Sequence, residues 1–67
     1  MGRISMRAKR LNKKVRYTGE TTLSLDKDGV YMCLGKILDG PQAGYLIIID
    51  ESKEDYVYAP DEFEFIE

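Results

Sequence analysis

From Val15 onward, short runs of β-branched, aromatic and aliphatic residues alternate with clusters of turn formers, and no helical period joins them. The pattern predicts strands over 14–18, 30–38, 45–50, 55–59 and 64–67. Asp26-Lys27-Asp28-Gly29 predicts a turn, because aspartate side chains bond nearby amides and glycine accepts positive φ. Gly35 lies inside the second run and predicts a bulge or sharp bend. Asp39-Gly40-Pro41-Gln42-Ala43-Gly44 makes the next connection, and Glu51-Ser52-Lys53-Glu54 makes a polar hairpin loop. Pro60 stops the fourth strand, and Pro60-Asp61-Glu62-Phe63 suits a single helical turn before the last one. Ahead of Val15, the spacing of Ile4, Ala8, Leu11 and Val15 would line one face of a helix. Residues 1–13 are therefore expected to be a basic arm, flexible or briefly helical and ending by about Lys13. Residues 14–67 are expected to be an all-β domain.

Five short strands in so little chain fit a small barrel better than a flat sheet, because closure hides edges that would otherwise pair with other chains. The order of features resembles the small SH3-like barrels of uncharacterised bacterial and phage proteins. The likeness rests on Val15-Arg16-Tyr17-Thr18-Gly19, Asp28-Gly29-Val30-Tyr31, Ile48-Ile49-Asp50-Glu51, Glu54-Asp55-Tyr56-Val57-Tyr58-Ala59-Pro60 and Phe63-Glu64-Phe65-Ile66-Glu67. It implies a five-stranded SH3-like barrel and no particular function, since that fold carries many. The chain lacks the Ala-Leu-Tyr-Asp-Tyr run and groove tryptophan of peptide-binding SH3 domains.

Several runs are apolar on both faces. Tyr45, Ile47 and Ile49 project to one side of their strand, and Leu46 and Ile48 to the other; Tyr56 and Tyr58 likewise oppose Val57. If Leu46, Ile48 and Val57 fill the barrel, Tyr45, Ile47, Tyr56 and Tyr58 form an outer aromatic patch, which together with Tyr17 is the expected partner-binding surface. Such a patch usually has a partner, unless Ile4 or Leu11 from the arm covers it.

Net charge is only −2, but it is unevenly distributed. Residues 1–16 hold Arg3, Arg7, Lys9, Arg10, Lys13, Lys14 and Arg16 with no acid, whereas the rest sets three lysines against all twelve carboxylates. Three readings compete for the basic segment: contact with nucleic-acid phosphates, an arm lying over acidic surface of its own or a neighbouring chain, or a solvated leader.

With 67 residues the chain builds one domain, held by packing because Cys33 is the only cysteine and there is no histidine to join it in a zinc site. The longest apolar run, Tyr45-Leu46-Ile47-Ile48-Ile49, is too short to span a bilayer, and no secretory leader is recognisable. The cytoplasm is the expected compartment, with no membrane partner. The absence of histidine removes the usual general base, and Cys33, in Tyr31-Met32-Cys33-Leu34, reads as a core residue. Asp26 opens no EF-hand loop, since Ile37 stands where the bidentate glutamate belongs. The acidic cluster Asp50, Glu51, Glu54 and Asp55 reads as a solvated hairpin tip, and no phosphate-cradling glycine loop occurs. The expectation is a non-enzymatic protein-interaction module, pairing with another protein or itself, without cofactor, metal or small-molecule substrate. The alternative is nucleic-acid binding by the basic arm and barrel aromatics.

Overall fold

The computed structural model describes residues 7–66. The chain is all-β: strands β1 (Ala8–Tyr17), β2 (Val30–Ile37), β3 (Leu46–Ile49), β4 (Asp55–Tyr58) and β5 (Phe63–Phe65), with a 3₁₀ turn at Pro60–Glu62. All pairings are antiparallel, in one sheet of order β4-β3-β2-β1-β5. The sheet is open, so the expected barrel closure is not met: β4 and β5 are edges. Among the described residues they meet through side chains, with the Phe63 ring 5.7 Å from that of Tyr58; Phe63 also lies 5.4 Å from the Tyr17 ring of β1.

The expected helix before Lys13 is replaced by strand, since β1 begins at Ala8. The spacing that suggested a helix has another geometric solution. In a regular strand Ala8 and Val15, seven residues apart, would face opposite sides. Between Arg10 and Lys13 the register on β2 advances by only two residues, from Gly35 to Cys33, so β1 carries one extra residue. Asn12, at φ 49°, occupies the bulge in the left-handed region that asparagine tolerates. The extra residue sets Ala8 opposite Ile37 and Val15 opposite Tyr31, two buried positions of β2.

A second register shift falls between Cys33 and Gly35 on the β3 side of β2. Glycine is required at this bend, because a Cβ on Gly35 would stand 2.6 Å from the Lys9 carbonyl oxygen. The hairpin loop between β3 and β4 closes as a turn followed by Lys53 at φ 71°, with the Lys53 N–H donating to the Asp50 carbonyl at 2.9 Å.

The core gathers Val15, Tyr17, Leu25, Tyr31, Cys33, Leu46 and Ile48, with Leu11, Tyr58 and Phe63 packed against it. Leu25 reaches it from the loop between β1 and β2, which is pinned where the Glu51 N–H donates to the Ser24 carbonyl at 2.9 Å. At about 25 cal/mol per Å² of apolar area, each fully buried aliphatic side chain such as Val15, Leu46 or Ile48 contributes about 1.5–3 kcal/mol, so a domain this small depends on nearly all of them.

Gly35→Ala is expected to cost about 2 kcal/mol or more, because backbone rather than a movable side chain blocks the new methyl group. Urea unfolding would read the loss, and hydrogen exchange would show it concentrated in residues 8–10 and 35–37.

Candidate functional site

The tyrosines are divided between bracing and exposure. Residues opposite one another in a sheet share a face, and the register sets Tyr58 opposite Leu46 and Tyr56 opposite Ile48. Both tyrosines therefore stand on the face of the buried β3 residues, and Val57 stands with Ile47 on the other. This reverses the expectation that Val57 fills the core while Tyr56 and Tyr58 join Ile47 outside. The reason is that β4 enters from the hairpin in the register set by its loop, which sequence alternation alone does not specify.

Three tyrosines are structural. Tyr17, 3% exposed, donates its hydroxyl hydrogen to the Glu20 carbonyl at 2.7 Å, so it is no surface residue. The Tyr31 hydroxyl accepts from the Asp26 N–H at 2.7 Å and donates to Glu51 Oε2 at 2.8 Å, tying two loops together. Tyr58, half-buried, donates to Asp50 Oδ2. Tyr45 and Ile47 are half-buried on and beside β3, whereas Tyr56 is 50% exposed and donates to Glu54 Oε1 at 2.9 Å.

Asp50, 3% exposed, anchors the hairpin. Its Oδ1 accepts from the Ser52 N–H at 2.9 Å and from the Ser52 hydroxyl, while Oδ2 receives Tyr58. Ser52 first and Tyr58 second hold the Asp50 carboxyl below its usual range, against the opposing effect of burial. Burial, and then the Asp50 carboxylate, push the Tyr58 phenol up to about 12.

This hairpin carries an open edge. The Asp50 N–H donates to the Glu54 carbonyl, and alternation along the ladder then turns the backbone groups of Tyr56 and Tyr58 toward β3 and those of Asp55 and Val57 outward. Two shallow grooves share Tyr56 as a wall. One, of about 430 Å³, runs past Leu34, Ile49, Lys53, Glu54 and Asp55. The other, of about 360 Å³, runs past Ser24, Asp50, Ser52, Val57 and Tyr58. Tyr56 and Tyr58 are among the residues expected on a partner-binding surface; the open edge beside them and the hairpin acids that line the grooves are not, because the pattern predicts a closed sheet and a solvated hairpin tip. The run Asp50 to Tyr58, acidic and then aromatic, was the available signal.

The basic residues of the N-terminal segment are spread along β1 and just ahead of it. Arg3 lies outside the described residues. Arg16 is taken up by Glu64 and by Asp28 at 3.3 Å, and Arg7 stands 4.0 Å from Asp39. Lys9, Arg10, Lys13 and Lys14 are exposed along β1. Cys33 is buried, its thiol pushed up by that burial, and reads as packing. Among the described residues no group of three or more histidine, cysteine or acidic residues is placed to hold a metal ion, and no helix is long and apolar enough to cross a membrane.

In comparisons with known proteins the chain matches no family model, no curated protein and no solved structure.

Tyr58→Phe is expected to lower stability by about 1–2 kcal/mol, because it takes a donor from a buried carboxylate. The pH dependence has two arms. The raised Tyr58 phenol stabilises the fold fully below its unfolded value near pH 10, and that contribution is lost as pH climbs through about 12. The depressed Asp50 carboxyl stabilises it above its unfolded value near pH 3.9, and that contribution is lost as pH falls through the lower folded value. Urea titrations across pH should show the alkaline arm shrink in Tyr58→Phe and the acid arm shrink in Asp50→Asn.

Proposed function

We propose that the protein is a non-enzymatic interaction module that takes an extended segment of a partner protein onto the open edge of β4. The observation that carries this reading is the exposed Tyr56 on an unpaired strand edge, with a groove on either side. An added strand would bond its backbone to the outward groups of Asp55 and Val57 and send alternate side chains into the two grooves. Glu54 and Asp55 beside Leu34 and Ile49 favour a segment in which basic and apolar residues alternate. Tyrosine suits the centre of such a contact, since it offers a large rigid ring with a polar tip.

The meander from β1 to β4, and the return of β5 to β1 after a 3₁₀ turn, support placing the chain among small SH3-like folds in a form whose sheet stays open. Fold likeness adds nothing to the choice of partner. The grooves differ from the aromatic slots that read Pro-rich peptides, because the site is an edge and its main recognition is by backbone.

The test is an amide-resolved NMR titration with a capped peptide alternating arginine and isoleucine, beside the same peptide with aspartate for arginine. Shifts centred on 54–58 are expected for the first and not the second. Val57→Pro removes the outward N–H while sparing the ladder bonds of Tyr56 and Tyr58, and should weaken binding about fivefold, the equivalent of one hydrogen bond of about 1 kcal/mol. Equal response to both peptides, or shifts that avoid β4, would sink the proposal.

A further inference from the structure

The cations of β1 and β2 are arranged against each other, and this is unexplained by anything within the fold. Lys9 stands directly opposite Lys36 in the β1–β2 register, and both are exposed. Like charges directly opposite across a sheet destabilise it. Arg10 and Lys13 flank the bulge one step further along β1. None of Lys9, Arg10, Lys13 and Lys36 makes an ion pair among the described residues, whereas Arg7, Arg16 and Lys27 do. Asp39 at this end stands against Arg7, and the hairpin acids are remote: they follow Ile49, which pairs with Met32 at the opposite end of β2 from Lys36.

The same end of the sheet carries a ring and an open backbone. Tyr45, half-buried, directly precedes β3, and its carbonyl accepts the Ile37 N–H at 2.9 Å, which sets it beside Lys36. Leu38, 47% exposed, continues from β2 and donates its N–H to the Arg7 carbonyl at 2.9 Å. On its other side β1 meets β5 only over Val15 to Tyr17, so among the described residues no strand pairs with Ala8 to Arg10 there. Three cations on β1, whose other edge is open beside Ala8 to Arg10, and Lys36 on the neighbouring β2, with the ring of Tyr45 next along, make a track for a flexible phosphate backbone whose bases stack.

We propose that this basic end of the β1–β2 pair binds single-stranded nucleic acid, with Lys9, Arg10, Lys13 and Lys36 on phosphates and Tyr45 under a base. The track is separate from the β4 edge and does not depend on it. Single strand is favoured over duplex because the cations sit on two adjacent strands around the β1 bulge, an irregular path that an unpaired chain can follow where a rigid duplex cannot.

The experiment is fluorescence anisotropy of the full chain with a 15-nucleotide oligothymidine, beside a duplex of equal length and heparin. About four phosphate contacts predict a slope of log affinity on log salt near −3, or about a 50-fold loss between 50 and 200 mM salt. Lys9→Gln with Lys36→Gln should flatten that slope by about 1.4. Tyr45→Ala should weaken oligothymidine binding about tenfold while leaving heparin binding unchanged. Lys36→Glu separates function from folding: it should abolish most binding while raising the melting temperature, since it relieves the like-charge pair. Equal affinity for heparin or duplex would overturn the proposal. So would undetectable binding combined with aggregation of the glutamine variants, which would mean that these lysines only guard the open edge against other chains.

Discussion

The pairing of β1 with β2 is the constraint on which the rest of this structure depends. Those two strands lie side by side within the sheet, and β3 and β5 are each positioned by bonding to one of them. The pair is irregular at one point on each strand: an extra residue by Asn12 and a bend at Gly35. Without the extra residue, Ala8 and Val15 could not both stand opposite buried positions of β2. Without a glycine at 35, the two backbones could not approach as closely as they do. Both irregularities increase local twist, and a twisted sheet of five strands wraps a core that a flat one of this size would leave exposed.

The curl brings the edges near each other without joining them. Phe63 and Tyr58 touch across the gap where a closed barrel would have backbone hydrogen bonds. The two rings bridge the gap, and among the described residues no strand pairs with the outward backbone groups of β4. That is the physical basis of the peptide-binding reading: β4 is stiffened by the buried Asp50 network beneath it, and its free side is already in strand geometry. Holding a short edge strand rigid in advance lowers the ordering cost that an incoming segment has to meet.

Polarity is organised along the length of the sheet. Acidic residues cluster at the β3–β4 hairpin, and unpaired cations cluster where β1 begins and β2 ends. Electrostatics of this kind adds little to folding at a solvated surface. In the proposed readings it would act instead on what approaches, the acidic end favouring basic segments and the basic end favouring phosphates. Two surfaces of opposite preference can therefore coexist on a domain of 67 residues without competing.

Much of this was legible from residues 14–67 alone. Turn chemistry is local, so Asp28-Gly29, the Gly40 to Gly44 connection and Pro60 marked their reversals, and strong β-formers between them marked β2, β3 and β4. The burial of Cys33, Leu46 and Ile48 followed from the same runs. Register is non-local, however. Whether Val57 or Tyr58 faces the core depends on how a three-residue hairpin loop sets β4 against β3, and no pattern within 55–58 states it. The beginning of β1 departs from the expected helix for a related reason: the spacing of Ala8, Leu11 and Val15 is compatible with a helix or with a bulged strand, and only pairing with β2 distinguishes them. The sequence by itself determined β2, β3 and β4, the turns and the separation of charge. The tertiary structure decided which tyrosines brace loops, which edge stays open and which lysines confront each other, because each of those depends on groups brought together by hydrogen bonds between distant strands.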